Sequence, residues 1–257
     1  MSKIDVVIAT RGEWYLPYCI NRVRKVVPLN NLIIVAPSEV KEKIKNFSDI
    51  FVAYNGKNIG RIRAKGLEYV ETEFFSFIDS DVILSPHWFS WCIKTISKRD
   101  VGACQGCIKP IAKIYGKVYE QYAKRAVKMG KGFCDLGNTM LKTELVRKLG
   151  MPQLSVGEDQ ALKRKIEKAG YKWVCNADLV SIELKTDADA LRHAIFWARK
   201  DSNFDVKHHV REIAYHCSKG LLKFKLNENF FMIGLHLLAI YGKLSGFLNR
   251  WPITFKR

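Results

Sequence analysis

Two acidic groups in the chain have the types and spacing that metal and proton chemistry need. Asp79-Ser80-Asp81 follows the apolar run Phe74 to Ile78 directly. Two carboxylates separated by one residue can share a hard divalent cation such as Mg²⁺ or Mn²⁺, which binds through one or two carboxylates plus substrate phosphates. In an ordinary loop the same triplet is a turn or a cap, but here it terminates a buried strand pattern. Glu158-Asp159 opens the run Gln-Ala-Leu-Lys-Arg-Lys-Ile-Glu-Lys-Ala-Gly-Tyr. An acidic pair there suits a helix dipole, and preceded by Gly157 it also suits a general base that takes the proton of a hydroxyl nucleophile. Together the groups describe transfer onto a hydroxyl: a cation neutralises charge on a leaving diphosphate while a carboxylate activates the acceptor.

The elements that must hold these residues follow from patterning. Ile4–Ala9, Leu32–Ala36, Ile50–Tyr54 and Phe74–Ile78 read as short buried strands. Between them, Leu16–Val27 is a helix stopped by Pro28, Glu39–Lys45 a helix capped by Ser38, and Gly60–Val70 a further helix. Alternation of this kind predicts an α/β fold, a mostly parallel Rossmann-like sheet with helices on both faces. Ligands then bind beyond the carboxyl ends of the strands, where Thr10, Arg11, Ser38, Asp79 and Asp81 fall. Further along, His87–Ser97 reads as a helix, Val101–Ile108 as a strand, and 110–131 as a basic helical stretch. Asp135–Leu141 leads into a helix over Thr143–Leu149, Glu158–Ala169 is a helix closed by Gly170, and Tyr171–Cys175 is a strand. Trp88 and Trp91 read as core or as walls of an acceptor pocket.

Four segments resemble family 2 glycosyltransferases of the GT-A fold: IDVVIATRGEWYLPYCI, NIGRIRAKGLEYVETEFFSFIDSDVILSPHW, GNTMLKTELVRKLG and GEDQALKRKIEKAGYKW. The resemblance implies an inverting sugar transfer from a nucleotide-sugar donor, with Mg²⁺ or Mn²⁺. It places Thr10 and Glu13 on the base or ribose, with Arg11, Ser38, Arg63 and Ser80 also lining the donor. Asp79 faces the ribose and sugar, Asp81 ligates the metal with Asp79, Asp159 is the base, and Glu158 orients hydroxyls. The chain departs from the family pattern at three places. Val35-Ala36-Pro37-Ser38-Glu39 lacks the acidic residue that often ends the second strand, and Ala64 follows Arg63 where asparagine is common. Ser181-Ile182-Glu183 stands where many members have a metal-binding histidine, leaving Glu183, His193 or neither as a third ligand.

Composition bounds the rest. The chain has 257 residues, 48% hydrophobic and 12% aromatic, enough for a full core and unlike a disordered chain. The expected organisation is a catalytic domain over 1–190, with a donor half about 1–105 and an acceptor half about 106–190, and a helical extension over 191–257. The net charge of +18 attracts polyanions. From Ala190 onward there are 12 basic and 4 acidic residues, which is +8 of the +18. Phe230–Leu248 is apolar apart from His236 and Lys243, and its readings are, in order, an interfacial helix, a packed soluble helix and a span. The expected setting is therefore cytoplasmic, peripheral to a membrane through about 205–250, with a glycan, glycolipid or polyprenyl-phosphate-linked acceptor. Seven cysteines and no signal sequence fit a reducing compartment, and Cys104 and Cys107 have C-x-x-C spacing without a second pair for zinc.

Two other classes are weaker. A sugar-phosphate nucleotidyltransferase would need a glycine-rich opening loop, where this chain has only Gly12 in Thr10-Arg11-Gly12-Glu13-Trp14. A non-enzymatic nucleic-acid or membrane binder would account for the charge, but no nucleic-acid-binding motif is present, and the basic residues are not interleaved with stacking aromatics. His208-His209 reads as a solvated helix face.

Overall fold

The computed structural model describes residues 2–113 and 134–189 throughout, together with 116, 117, 119, 213, 233, 234, 236–238, 240, 241 and 243. The basic stretch expected over 110–131, the extension over 191–257, His193 and His208-His209 lie wholly or mostly outside the described residues. The chain divides into two compact units, one of residues 1–110 with 119–184 and the other of 111–118 with 185–257.

The first unit is built on one eight-stranded sheet. Its strands are β1 (Ile4–Ala9), β2 (Leu29–Ala36), β3 (Ile50–Ala53), β4 (Phe74–Ile78), β5 (Val82–Ile83), β6 (Val101–Pro110), β7 (Asn138–Lys142) and β8 (Lys172–Glu183). They lie in the order β3-β2-β1-β4-β7-β6-β8-β5. The β3-β2-β1-β4 half is all parallel, β7 runs antiparallel to both neighbours, and β6 and β8 are again parallel.

Alternation along each strand divides the apolar side chains between two cores. Ile4, Val6 and Ile8 of β1, Leu32 and Ile34 of β2, and Phe74 and Ile78 of β4 pack with helices α1 (Leu16–Val26) and α4 (Trp88–Ile96). Val7, Ile33, Val35, Phe75 and Phe77 point the other way, into a core shared with α3 (Ile59–Leu67), α5 (Thr143–Leu149) and α6 (Glu158–Lys168). Burial on both faces is why these strands read as continuous apolar runs. Trp88 is fully buried and Trp91 packs at the margin of the same core. At the amino-terminal end of the sheet, buried Asp5 accepts from Asn31 N (2.9 Å), Asn30 Nδ2 (3.0 Å), Glu71 N (2.6 Å) and Thr72 N (3.1 Å). That acid is a structural pin for the chain entering β2 and β4.

Several expectations need correction. Asp135–Leu141 is not merely an approach to a helix, since Asn138–Lys142 is a buried strand in the middle of the sheet. The strand expected at Tyr171–Cys175 continues to Glu183, with a bulge where β6 advances one residue, Gly106 to Cys107, while its partner advances from Asn176 to Val180. Ser38 does not cap a helix. Residues Ser38–Val40 form a 3₁₀ turn before the four-residue α2 (Lys41–Ile44), and no side-chain cap is made at either start. Cys104 and Cys107 need no correction as separate buried thiols, since positions three apart on a strand face opposite sides. Cys104 donates to Cys92 O, whereas Cys107 lies 3.9 Å from Cys175 Sγ on β8.

Candidate active site at the carboxyl ends of β1 and β4

Two side-chain networks form where β1 and β4 end. In the first, Thr10 Oγ1 donates to Glu13 Oε2, which also accepts from Arg11 N at 3.1 Å and Ser80 Oγ at 3.5 Å. Thr10 Oγ1 accepts from Gly12 N at 3.0 Å. Glu13 thus ties the turn after β1 to the residue between the two aspartates. Arg11 is exposed beside this network. Ser38, at the end of β2, bonds Asn55 through its backbone N at 3.0 Å and its Oγ at 3.5 Å.

The second network is centred on Arg63, in α3 and only 5% exposed. Its Nη2 meets Asp79 Oδ1 at 2.6 Å and its Nη1 meets Glu158 Oε1. The guanidinium also lies over the Phe77 ring, 5.8 Å from its centroid. Burial alone would depress the guanidinium pKa, and Asp79 and Glu158 outweigh it, so the group is held charged more firmly than usual. One planar fork therefore joins the two acidic motifs that the sequence keeps far apart.

Close backbone approaches set the position of both motifs. Asp79 N donates to Gly137 O at 3.0 Å, and a Cβ on Gly137 would stand 2.3 Å from Asp79 Oδ2. On the other side, Gly60 N donates to Leu154 O at 3.0 Å and Asn58 Nδ2 to Gln153 O at 3.0 Å. A Cβ on Gly60 would meet Pro152 O at 2.2 Å. The loop feeding α6 is strapped to the start of α3, so Glu158 and Asp159, at the start of α6, are held beside the helix that carries Arg63.

Burial raises the carboxyl pKa of both Glu158 and Asp159, with Arg63 opposing and the charge of Asp79 adding to the rise in each case. A carboxylate whose pKa is raised in this way is a better proton acceptor near neutrality. Asp159 Oδ1 accepts from Gln160 N at 2.6 Å.

Asp135 went unrecognised in the sequence. It is half-buried just before β7, with Gly137 N donating to its Oδ1 at 2.8 Å and its own N donating to Gln105 Oε1 at 3.1 Å. Gln105 Oε1 is held in turn by Trp173 Nε1 at 2.7 Å. Burial first, then the charges of Asp79, Glu183 and Asp159, push the Asp135 carboxyl up to about 8. No local signal marks this residue, because its neighbours come from β4, α6 and β8.

Asp81 lies where β4 passes into β5. Its carbonyl accepts from Leu184 N at 2.8 Å, and its charge adds to burial in raising the Cys19 thiol to about 12. Val82 pairs with Glu183 across β5 and β8, which brings Glu183, 9% exposed, beside the second aspartate. Among the described residues no three His, Cys, Asp or Glu side chains group as a metal site. Asp79 and Asp81 supply a two-carboxylate oxygen set, which fits a cation completed by phosphate and water oxygens.

A mixed sheet with Asp79 at the end of a parallel strand, and with β7 and β5 antiparallel to their neighbours, defines the class: a GT-A-type transferase. Residues 5–150 match the model of glycosyl transferase family 2, more than half of the chain, and the protein belongs to that family. Its activity is accordingly that of a glycosyltransferase using a nucleotide-sugar donor. Among solved structures it is similar to the mannosyltransferase PcManGT from Pyrobaculum calidifontis, determined in complex with GDP-Man and Mn²⁺, at 16% identity and TM-score 0.56, covering 96% of this chain and 74% of that one. It is similar to glucosyl-3-phosphoglycerate synthase from Mycobacterium tuberculosis, in complex with Mn²⁺, UDP and glucosyl-3-phosphoglycerate, at 15% identity and TM-score 0.53, covering 74% and 75%. A third likeness is to residues 1–349 of S. aureus TarS, at 14% identity and TM-score 0.52, covering 95% and 89%. These likenesses show the shared fold. No curated protein sequence matches the chain.

Proposed function

We propose that the chain is a metal-dependent, inverting glycosyltransferase whose donor lies across the ends of β1 and β4 and whose acceptor enters beside the start of α6. The observation that carries this reading is the Arg63 fork, which holds Asp79 and Glu158 on one guanidinium. Thr10, Arg11, Glu13, Ser38 and Ser80 line the base and ribose side. Asp79 faces the ribose and sugar and, with Asp81, holds Mg²⁺ or Mn²⁺. That cation supplies charge neutralisation at the leaving diphosphate. The Mn²⁺ in the two structural relatives named above supports a divalent ion without choosing between the metals.

Asp159 accepts the acceptor hydroxyl's proton as the oxygen bonds to the anomeric carbon from the face opposite the diphosphate. The anomeric C–O bond to the diphosphate breaks with its electron pair on the phosphate oxygen, and single displacement inverts the centre. Glu158, fixed by Arg63, orients hydroxyls. Arg63 bridges Asp79 and Glu158 and offsets their charge in a site otherwise crowded with acids.

The acceptor is a glycan, a glycolipid or a polyprenyl-phosphate-linked sugar, and the protein works peripherally at the cytoplasmic face of a membrane, through about 205–250. The +18 charge and the apolar, basic C-terminal sequence support that setting. No helix among the described residues is long and apolar enough to cross a membrane.

The test is donor hydrolysis by purified protein over UDP-, GDP- and dTDP-sugars with Mn²⁺ or Mg²⁺, beside Asp81→Ala. Metal-dependent release of one nucleoside diphosphate, lost in the variant, is the expected result. Neither turnover nor metal-dependent binding with any donor would overturn the reading.

A further inference from the structure

The two most exposed large apolar side chains among the described residues, Trp14 at 74% and Tyr18 at 62%, touch one another. Their rings meet edge to face, 6.2 Å between centroids and 78° between planes, and Tyr15 adds an edge contact to Trp14 at 5.5 Å. They crown the outer side of α1, whose inner side buries Leu16, Cys19, Ile20 and Val23. A core helix gains nothing by placing an indole and a phenol together in water, so the pair is a contact surface.

Charge selects what the surface meets. Between Glu13 and Glu39 the sequence has no acidic residue at all. Glu13 is turned inward on Thr10 and Ser80. Exposed Arg11 precedes the aromatic pair, and exposed Lys25 lies beyond it on α1. Lys43 Nζ reaches back to Gly12 O at 2.9 Å, leaving an ammonium at the patch edge. Glu42, the nearest acid on α2, is paired with Lys45. Trp and Tyr are the side chains that settle at a headgroup boundary, where the ring is apolar and the tip is wet, and nearby basic groups add attraction to anionic lipid. A sugar-stacking platform would present coplanar faces, and these planes are nearly perpendicular.

We propose that Trp14 and Tyr18 insert into the headgroup region of an anionic lipid bilayer, docking the rim of the donor site on the membrane surface. The inference extends the membrane-peripheral reading above. It differs in placing a contact at the start of α1, one residue from Glu13, independent of the segment 205–250. Docking there would hold the mouth of the site against the leaflet that presents a lipid-linked acceptor.

The test is co-sedimentation of the full chain with phosphatidylglycerol/phosphatidylcholine vesicles and with phosphatidylcholine vesicles, using wild type, Trp14→Ser/Tyr18→Ser and Lys25→Glu. Lipid-free donor hydrolysis is measured in parallel. The double variant should lose at least about tenfold in partition to anionic vesicles, with hydrolysis unchanged. Lys25→Glu should lose about fivefold or more, the equivalent of about 1 kcal/mol per basic residue at such a surface. Brominated lipid should quench the wild-type indole emission more than that of Trp14→Phe. Equal partition and equal quenching in wild type and variants would overturn the α1 contact while leaving membrane binding through the C-terminal segment standing. No binding by the wild type would overturn both membrane readings and leave the transferase reading to the hydrolysis result. Loss of self-association in the double variant, without loss of vesicle binding, would assign the patch to a second copy of the chain and overturn the proposal.

Discussion

At the residue scale, the site is an arrangement of negative charge around the buried guanidinium of Arg63. Arg63 is buried, and its two partners have little else to neutralise them. Removing one member of a buried ionic group is far worse than replacing all of it, because the survivors stay charged and unpaired. Arg63→Met should therefore cost about 3–5 kcal/mol in urea unfolding. Adding Asp79→Asn and Glu158→Gln to that variant should recover much of the loss. No recovery in the triple variant would mean that Arg63 stabilises by packing on Phe77 instead. Asp135 gives a second prediction. Its native carboxyl titrates at about 8 against an ordinary 3.8, raised by burial and by Asp79, Glu183 and Asp159, with Arg63 the cation in its field. Between those values the native state binds a proton that the unfolded state has released, so its contribution to stability is present at low pH and fades as pH rises toward 8. Asp135→Asn in metal-free protein should flatten that slope and be more stable than wild type at pH 8, measured by urea midpoints at pH 5 and 8. Parallel profiles for the two proteins would refute it. Asp79, Asp81, Glu158 and Asp159 were legible as motifs because each sits at a signalled strand or helix end. Asp135 was not, because what makes it special comes from residues distant in sequence.

At the element scale, the strands buried on both faces were legible as apolar runs, and β1, β4 and α1 fall within a residue of their expected bounds. The short β5 and the antiparallel β7 were not. β7 reads Asn-Thr-Met-Leu-Lys, with one β-branched residue, and runs straight into a helix. Only its two sheet neighbours make it a strand, which is tertiary context overriding propensity. β8 was cut short because the Ala177 to Leu179 bulge interrupts its pattern. The strap between α3 and the loop before α6 was equally hidden, and it yields a test. In Gly60→Ala the new methyl meets backbone, 2.2 Å from Pro152 O and 2.8 Å from Leu154 N and O, with no flexible side chain to yield. The loop must withdraw and carry Glu158-Asp159 with it. The stability cost should be about 1–3 kcal/mol. Turnover should fall by up to about 10²-fold, the scale expected for a misplacement of about 1 Å, while metal-dependent donor binding stays nearly constant. A loss of donor binding equal to the loss of turnover would show that the strap serves the donor half instead.

At the scale of the whole molecule, two kinds of electrostatics must be separated. A chain of +18 draws in any polyphosphate, and that attraction is diffuse, screened beyond about 8 Å at 0.15 M ionic strength. The proposed donor site is the opposite, a local cluster of acids that repels a diphosphate until a cation is present. Salt and metal should therefore act in different directions on the two. Diffuse binding should need no cation and should vanish in 0.5 M salt. Site binding should require Mn²⁺ or Mg²⁺ and should largely survive that salt. A ligand that binds only the native state at 100 times its Kd adds about 2.7 kcal/mol, and for a chain of this size each kcal/mol raises Tm by about 2–4 °C. The cognate nucleoside diphosphate with Mn²⁺ should thus raise Tm by about 5–10 °C in 0.5 M salt. Excess EDTA or the Asp81→Asn substitution should abolish the increase, while pyrophosphate without metal should give none. Thermal melts over UDP, GDP and dTDP measure this without any acceptor or turnover. A cation-independent rise that disappears with salt would assign the nucleotide to the general positive field and remove Asp81 from its proposed role.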